Sequence, residues 1–195
     1  MARTAIVAVK AQQGRALDAP RHLALIVGAT LFVALCAHIT IPLVPLTPVP
    51  LTVQNFAVLV VGLLLGSRRA FAAMMLYLVE GMAGLPVFSP IGPGGVAQLF
   101  GPTGGFLLAY PFAAFVAGYV FERRVGSFAR AALSGLLAEI LLFLGGLSWL
   151  YVLTHSLAKA AYLGLYWFIA AEVMKVMFAA AIAARWRHLG SGKAA

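Results

Sequence analysis

Glu172 and Lys175 are opposite charges three residues apart inside LGLYWFIAAEVMKVMFAAAIAAR, a segment otherwise apolar enough to cross a membrane. In a helix that spacing puts both side chains on one face. Ionisable groups at membrane depth cost about 3 kcal/mol or more each on insertion scales, so they face a protein interior or cavity and mark a substrate path. A carboxylate beside an ammonium can accept from and donate to a polar ligand. The same pair can also do no more than neutralise itself and satisfy a polar seam. Two further acids lie in apolar segments, Glu139 and Glu80. Glu139 can neutralise Lys175, line the same cavity or relay protons. Glu80, near a segment end, can reach water or bind. Glu122, followed by Arg123 and Arg124, reads as a solvated surface charge.

The elements that hold these groups follow from composition. The chain has 195 residues, 63% hydrophobic and 10% charged, with mean hydropathy +1.00. That leaves too little polar surface to cover a soluble globule. A spanning helix needs about 20 apolar residues, and six stretches qualify, at about 22–41, 52–67, 69–86, 104–121, 128–153 and 160–185. The expected fold is all-α, a single six-helix membrane domain over 1–195, with basic tails at 1–20 and 186–195. Twelve of the fourteen basic residues fall at the termini or in the loops after spans two and four. The positive-inside rule makes that face cytoplasmic, hence N-in and C-in. Lys159 lies near the opposite face. Although the net charge is +9, the basic residues flank apolar segments and form no aromatic-interleaved patch, so no nucleic-acid partner is expected.

Two chargeless loops fall on the outer side. IPLVPLTPVPLT carries Pro42, Pro45, Pro48 and Pro50, which fix φ and cannot donate, so it is stiff and extended. GLPVFSPIGPGGVAQLFGPTGG mixes turn residues with Val87, Phe88, Ile91, Leu99 and Phe100. Those apolar side chains must pack on something, so this Gly/Pro-rich loop between helices 3 and 4 is expected to fold as a lid over the outer mouth. A loop that only seals the bundle is the plainer alternative. Thr52, Gln54, Gln98 and Thr103 sit near outer helix ends, where they can hydrogen-bond a polar, mostly uncharged ligand. Such groups also join membrane helices to one another.

Small residues recur at four-residue spacing, Ala24 with Gly28 and Thr30 with Ala34 in span one, and Ala109, Ala113 and Ala117 in span four. Such stripes allow close helix approach, within the chain or to a membrane partner. Cys36 is the single cysteine, which excludes an internal disulfide or a cysteine-based metal site within the chain. The N-terminal region has no separate apolar segment of the signal-peptide kind, so span one is expected to serve as its own insertion signal. The sequence contains neither GxxxxGK[ST] nor HExxH, so P-loop ATP hydrolysis and zinc proteolysis are not expected of this chain. A small membrane enzyme using Glu172 and Lys175 as acid and base would lack a recognisable nucleophile, metal cluster or cofactor loop. Binding or transport is the expected class.

Over residues 22 to 185 the chain resembles the BioY family, the biotin-specific substrate-binding (S) components of energy-coupling factor (ECF) transporters. The residues that carry the resemblance are TPVPLTVQ at 47–54, GLPVFS at 84–89, GPTGGFLLAYPFAAFVAGY at 101–119 and the Glu172–Lys175 pair. An Asp is commoner in the family at the position of Glu172. The resemblance implies a six-helix bundle of the bacterial cytoplasmic (inner) membrane that captures biotin near its outer face. It also implies docking on a transmembrane coupling subunit driven by two ATPase subunits. Neither a cofactor nor a metal is implied. Biotin's ureido group offers two N–H donors and one carbonyl acceptor, which Glu172 and Lys175 can satisfy from one helical face. Gln54, Phe88, Gln98, Tyr110, Glu139 and Tyr162 are the further substrate-binding candidates, with Trp149 and Tyr166 as other possible walls. Glycine-rich backbone N–H groups of the lid can receive the ligand's carboxylate. Thr30 with Ala34 is the preferred docking stripe, ahead of Ala24 with Gly28. A self-sufficient transporter, working as a homo-oligomer or proton-coupled through Glu139, would share every binding residue and stays open.

Overall fold

The computed structural model describes residues 2–123 and 127–191, with side chains over 19–123 and 127–187. Arg124 and Lys193 of the expected basic face, and the side chains of Arg3, Lys10 and Arg15, lie outside the described residues. Long apolar runs with internally satisfied backbones give helices almost throughout. They are α1 (Ala2–His38), α2 (Gln54–Leu65), α3 (Ser67–Met82), α4 (Gly95–Phe100), α5 (Gly104–Glu122), α6 (Phe128–Thr154), α7 (Leu157–Ala161) and α8 (Ile169–Ser191). A π-helical turn, Tyr162–Tyr166, links α7 to α8.

Three helical stretches are long and apolar enough to cross a membrane, namely Ala19–His38 of α1, α5 and α6. A fourth is formed if Leu157–Tyr166 and Ile169–Arg187 count as one span bent by 47°. The chain is therefore a multi-pass membrane protein. The expected spans at 52–67 and 69–86 are realised as α2 of 12 residues and α3 of 16. At 1.5 Å rise these reach only about 18 Å and 24 Å. The expected tail at 1–20 is helical from Ala2 and runs into α1 through Pro20. The last span departs most from expectation, because it is broken just ahead of Glu172. That break puts Glu172 in the first turn of α8, where the free N–H groups and the helix dipole favour a carboxylate.

The proline-rich connection is closed by a two-residue antiparallel ribbon, β1 (Thr40–Ile41) with β2 (Leu51–Thr52), in register Thr40 to Thr52 and Ile41 to Leu51. Its Val44–Pro45 bond is cis. Thr47 Oγ1 donates to Leu163 O at 2.6 Å and so ties this loop to the π turn.

At the centre of the bundle α5 packs against α2, α3 and α6. Its small residues make this possible, since a Cβ at Gly118 would run into the backbone of Gly66 and Ser67. One turn on, Glu122 Oε1 accepts from Ser67 N at 3.0 Å and Oε2 from Ser67 Oγ at 2.9 Å. Glu122 is exposed, as expected of a solvated surface charge, and it also closes the first turn of α3, whose N–H groups have no intrahelical acceptor. Because backbone cannot move aside as a flexible side chain can, Gly118→Val is expected to cost about 1–3 kcal/mol, read as a lower Tm of the purified chain.

Two small-residue expectations separate here. Thr30 is fully buried and donates to Glu80 Oε1 at 3.1 Å, and Ala34 is buried as well. Of the preferred docking stripe, Thr30 thus meets Glu80 of α3 in the same chain and Ala34 is buried with it. Ala24 and Gly28 are exposed, with open space where a Gly28 Cβ would stand.

Candidate functional site

Glu172 is nine-tenths buried, and Lys175 Nζ donates to its Oε1 at 2.6 Å. Asn55 Nδ2 approaches the same oxygen at 3.3 Å, while Asn55 Oδ1 accepts from Tyr110 Oη at 2.7 Å. Tyr110 of α5, Asn55 of α2, Glu172 and Lys175 of α8 therefore form one polar chain through an apolar bundle. Glu172 Oε2 is buried without a hydrogen-bond donor from any neutral or cationic group, and the carboxyl of Glu139, which lies against Glu172, donates only when it carries a proton. A bare carboxylate oxygen in such surroundings is costly and calls for a donor from elsewhere.

That donor has somewhere to stand. Glu172, Asn55 and Tyr110 line an internal cavity together with Gln54, Gln98 and Thr103, closed by apolar walls that include Val49, Phe106, Phe143 and Phe168. Its free volume is ≈ 40 Å³, room for little beyond water. Anything larger requires the lining to spread.

The stretch from 83 to 103 covers one end of this cavity and is held by several independent contacts. Val87, Phe88 and Leu99 are buried. Phe88 meets Tyr77 edge-on at 5.4 Å and fills the space over Gly81, where any Cβ would collide with the ring. Tyr77 Oη donates to Val87 O at 2.6 Å and accepts from Gln54 Nε2 at 2.8 Å. Gln98 Oε1 accepts from Gly94 N and its Nε2 donates to Thr103 Oγ1. Trp149 Nε1 donates to Gly101 O at 2.9 Å. Glycine is required at Gly84 and Gly94, whose φ values are 89° and 69°.

Of the residues singled out in the sequence, Gln54, Gln98, Tyr110 and Glu172 line the cavity. Lys175 stands one turn beyond and reaches it through Glu172. Three others stand apart from the cavity as it is shaped here. Phe88 is an anchor of the 83–103 stretch and not a cavity wall, because its ring is spent on Tyr77 and Gly81. Tyr162 is about half exposed and lies against Tyr166 and Trp167. The break before α8 has turned it away from the cavity. Glu139 is buried against the carboxyl of Glu172, and both acids line an apolar groove between α6 and α8, although Glu139 does not line the cavity itself. Phe143, one turn along α6, and Glu172 itself line both spaces. Trp149 and Tyr166 likewise do not line the cavity. Asn55 was missed. Its signal was present, two consecutive amides opening an apolar helix directly after a proline-rich loop.

Comparison with known proteins identifies the family. The BioY family profile matches residues 7–191. A probable biotin transporter BioY of Pyrococcus horikoshii is 37% identical over 155 residues, 80% of this chain and 91% of that protein. The biotin transporter BioY of Thermotoga maritima is 36% identical over 146 residues, 75% of this chain and 85% of that one. A crystal structure of the S-component for biotin from an ECF-type ABC transporter superposes with a TM-score of 0.78 at 25% identity, covering 88% of this chain and 93% of that one. With a profile spanning nearly its whole length and relatives matched over most of theirs, the chain belongs to the BioY family.

Proposed function

We propose that this protein captures biotin with high affinity and takes it up across the bacterial cytoplasmic membrane, as the substrate-binding S component of an ECF-type transporter. The observation that carries the reading is a buried carboxylate, Glu172, on the wall of a small cavity it shares with Asn55, Tyr110, Gln54 and Gln98, its Oε2 lacking any donor except the neighbouring Glu139 carboxyl. A ureido N–H is a donor of the right kind for that oxygen, and the carbonyl of the same group can accept from Lys175 or from Asn55 Nδ2. Val49, Phe106, Phe143 and Phe168 then receive the ring and aliphatic chain. Gln54, Gln98 and the glycine-rich backbone of the lid shape the tail end.

In this reading the chain is one six-helix domain, N-in and C-in, with basic tails at 1–20 and 186–195 on the cytoplasmic side. The 83–103 stretch is its outer lid. Since the cavity is small as it stands, the lid and the proline-rich loop must give way for entry. The exposed Ala24–Gly28 stripe offers a close-approach surface for the transmembrane coupling subunit, which two ATPase subunits would drive. No chemistry on the ligand is proposed.

The test is equilibrium binding of biotin to the purified full chain in detergent, with thiamine and riboflavin as competitors. Tight, biotin-selective binding is expected. Absence of binding by folded protein, or equal displacement by the other vitamins, would sink the substrate assignment. Uptake by cells making this chain with and without coupling subunits then separates the ECF reading from a self-sufficient transporter.

A further inference from the structure

Where α3 begins and α5 ends, a groove of ≈ 580 Å³ opens on the molecular surface, lined by Arg68, Arg69, Phe115, Tyr119 and Glu122 among others. The guanidinium of Arg123 stands 4.0 Å above the Tyr119 ring. Arg68 and Arg69 thus line the groove with Arg123 beside its Tyr119, and the one lining carboxylate, Glu122, is already engaged by the Ser67 N–H and hydroxyl. Arg68 and Arg69 are exposed. Neither Arg68 nor Arg69 has a salt bridge to a carboxylate among the described residues.

The other half of the groove is aromatic. Exposed faces of Tyr119, Phe115 and Phe112 follow one another at successive turns of α5, and Phe71 of α3 meets Phe112 and Phe115 edge-on at 5.7 Å and 6.3 Å. Because α5 is long and apolar enough to cross a membrane and ends at Glu122, the arginines lie at a membrane–water boundary. The aromatic wall runs from them into hydrocarbon.

We propose that this groove binds an anionic phospholipid, its phosphate held by Arg68 and Arg69 with Arg123 at the rim and one acyl chain laid along Phe115 and Phe112. Guanidinium pairs match phosphate oxygens in geometry and charge. A zwitterionic lipid would bring its own cation beside the arginines, and free phosphate would leave the aromatic wall unused.

The experiment uses the full chain purified in detergent, with phosphatidylglycerol, phosphatidylcholine of the same acyl chains, or inorganic phosphate added, and bound lipid counted by native mass spectrometry. Phosphatidylglycerol should be retained over phosphatidylcholine, and Arg68→Gln with Arg69→Gln should lower its retention at least about fivefold, the size expected of basic residues at an anionic lipid surface. Arg130→Gln, outside the groove, should leave retention unchanged. Tyr119→Ala should weaken it with all arginines in place. Helicity and monodisperse elution report folding for each variant. Undiminished retention in the double variant of folded protein overturns the proposal, as does displacement of the lipid by an equal concentration of inorganic phosphate.

Discussion

Lys175→Met and Glu172→Leu, made singly, are each expected to lower stability by about 3–5 kcal/mol, because breaking a buried pair leaves one uncompensated charge in apolar surroundings. Made together they should recover most of that loss, since two apolar side chains of similar volume replace two charges that must otherwise be desolvated. Binding should behave differently. If the pair were only a self-neutralising seam, the recovered double variant would bind biotin as the parent does. If Glu172 and Lys175 read the ureido group, the double variant remains deficient by at least about 100-fold, roughly 2.7 kcal/mol, the sum of two charge-assisted hydrogen bonds near the low end of their range. Thermal melts and biotin titrations on the same four proteins decide the matter. Recovery of stability together with binding would remove the central element of the proposed site.

The pair could be found in the sequence for the reason that makes it testable: charges at membrane depth are too costly to be incidental. Most helix ends were legible too, because Arg, Pro and Gly punctuate the apolar runs, and the expected 104–121 and 128–153 stand within a residue of α5 and α6. Orientation was less accessible. Span one is apolar nearly all round, so periodicity gives no inward face. Thr30 held a clue, because a hydroxyl in a membrane helix tends to turn toward a partner, here Glu80. The break ahead of α8 has no proline to announce it; Gly164, whose Cβ would meet Leu150, Leu147 and Phe106, allows the π turn to press onto the bundle. Without that bend in view, Tyr162 was assigned to the cavity that the bend turns it from. Phe88 was legible as a packed residue of the loop, and its ring lies on Tyr77 and Gly81, not on the cavity. Its tertiary partners, Tyr77 and Gly81, lie earlier in the chain and show no pattern with it.

Asn55 gives the second large effect. Its amide is spent in two directions, donating to Glu172 Oε1 and accepting from Tyr110 Oη, so Asn55→Leu strands a buried hydroxyl and removes one of the two donors that hold the carboxylate. Each stranded buried group costs about 1–3 kcal/mol. Biotin affinity should therefore fall by at least about 30-fold, or about 2 kcal/mol. Asn55→Asp separates the two functions. It keeps an acceptor for Tyr110 but loses the donor to Glu172 and sets a second carboxyl beside it, so it should bind no better than Asn55→Leu. Tyr110→Phe removes the phenol's hydrogen bond alone and should cost only about 1 kcal/mol, close to fivefold. Residues in one hydrogen-bonded chain are not independent, and a cycle combining Tyr110→Phe with Asn55→Leu should show less than the sum of the single losses. Near-parental affinity in Asn55→Asp would mean that Asn55 serves Tyr110 only. Glu172 would then be oriented by Lys175 and the first turn of α8, and the polar chain from α5 to α8 would have no part in recognition.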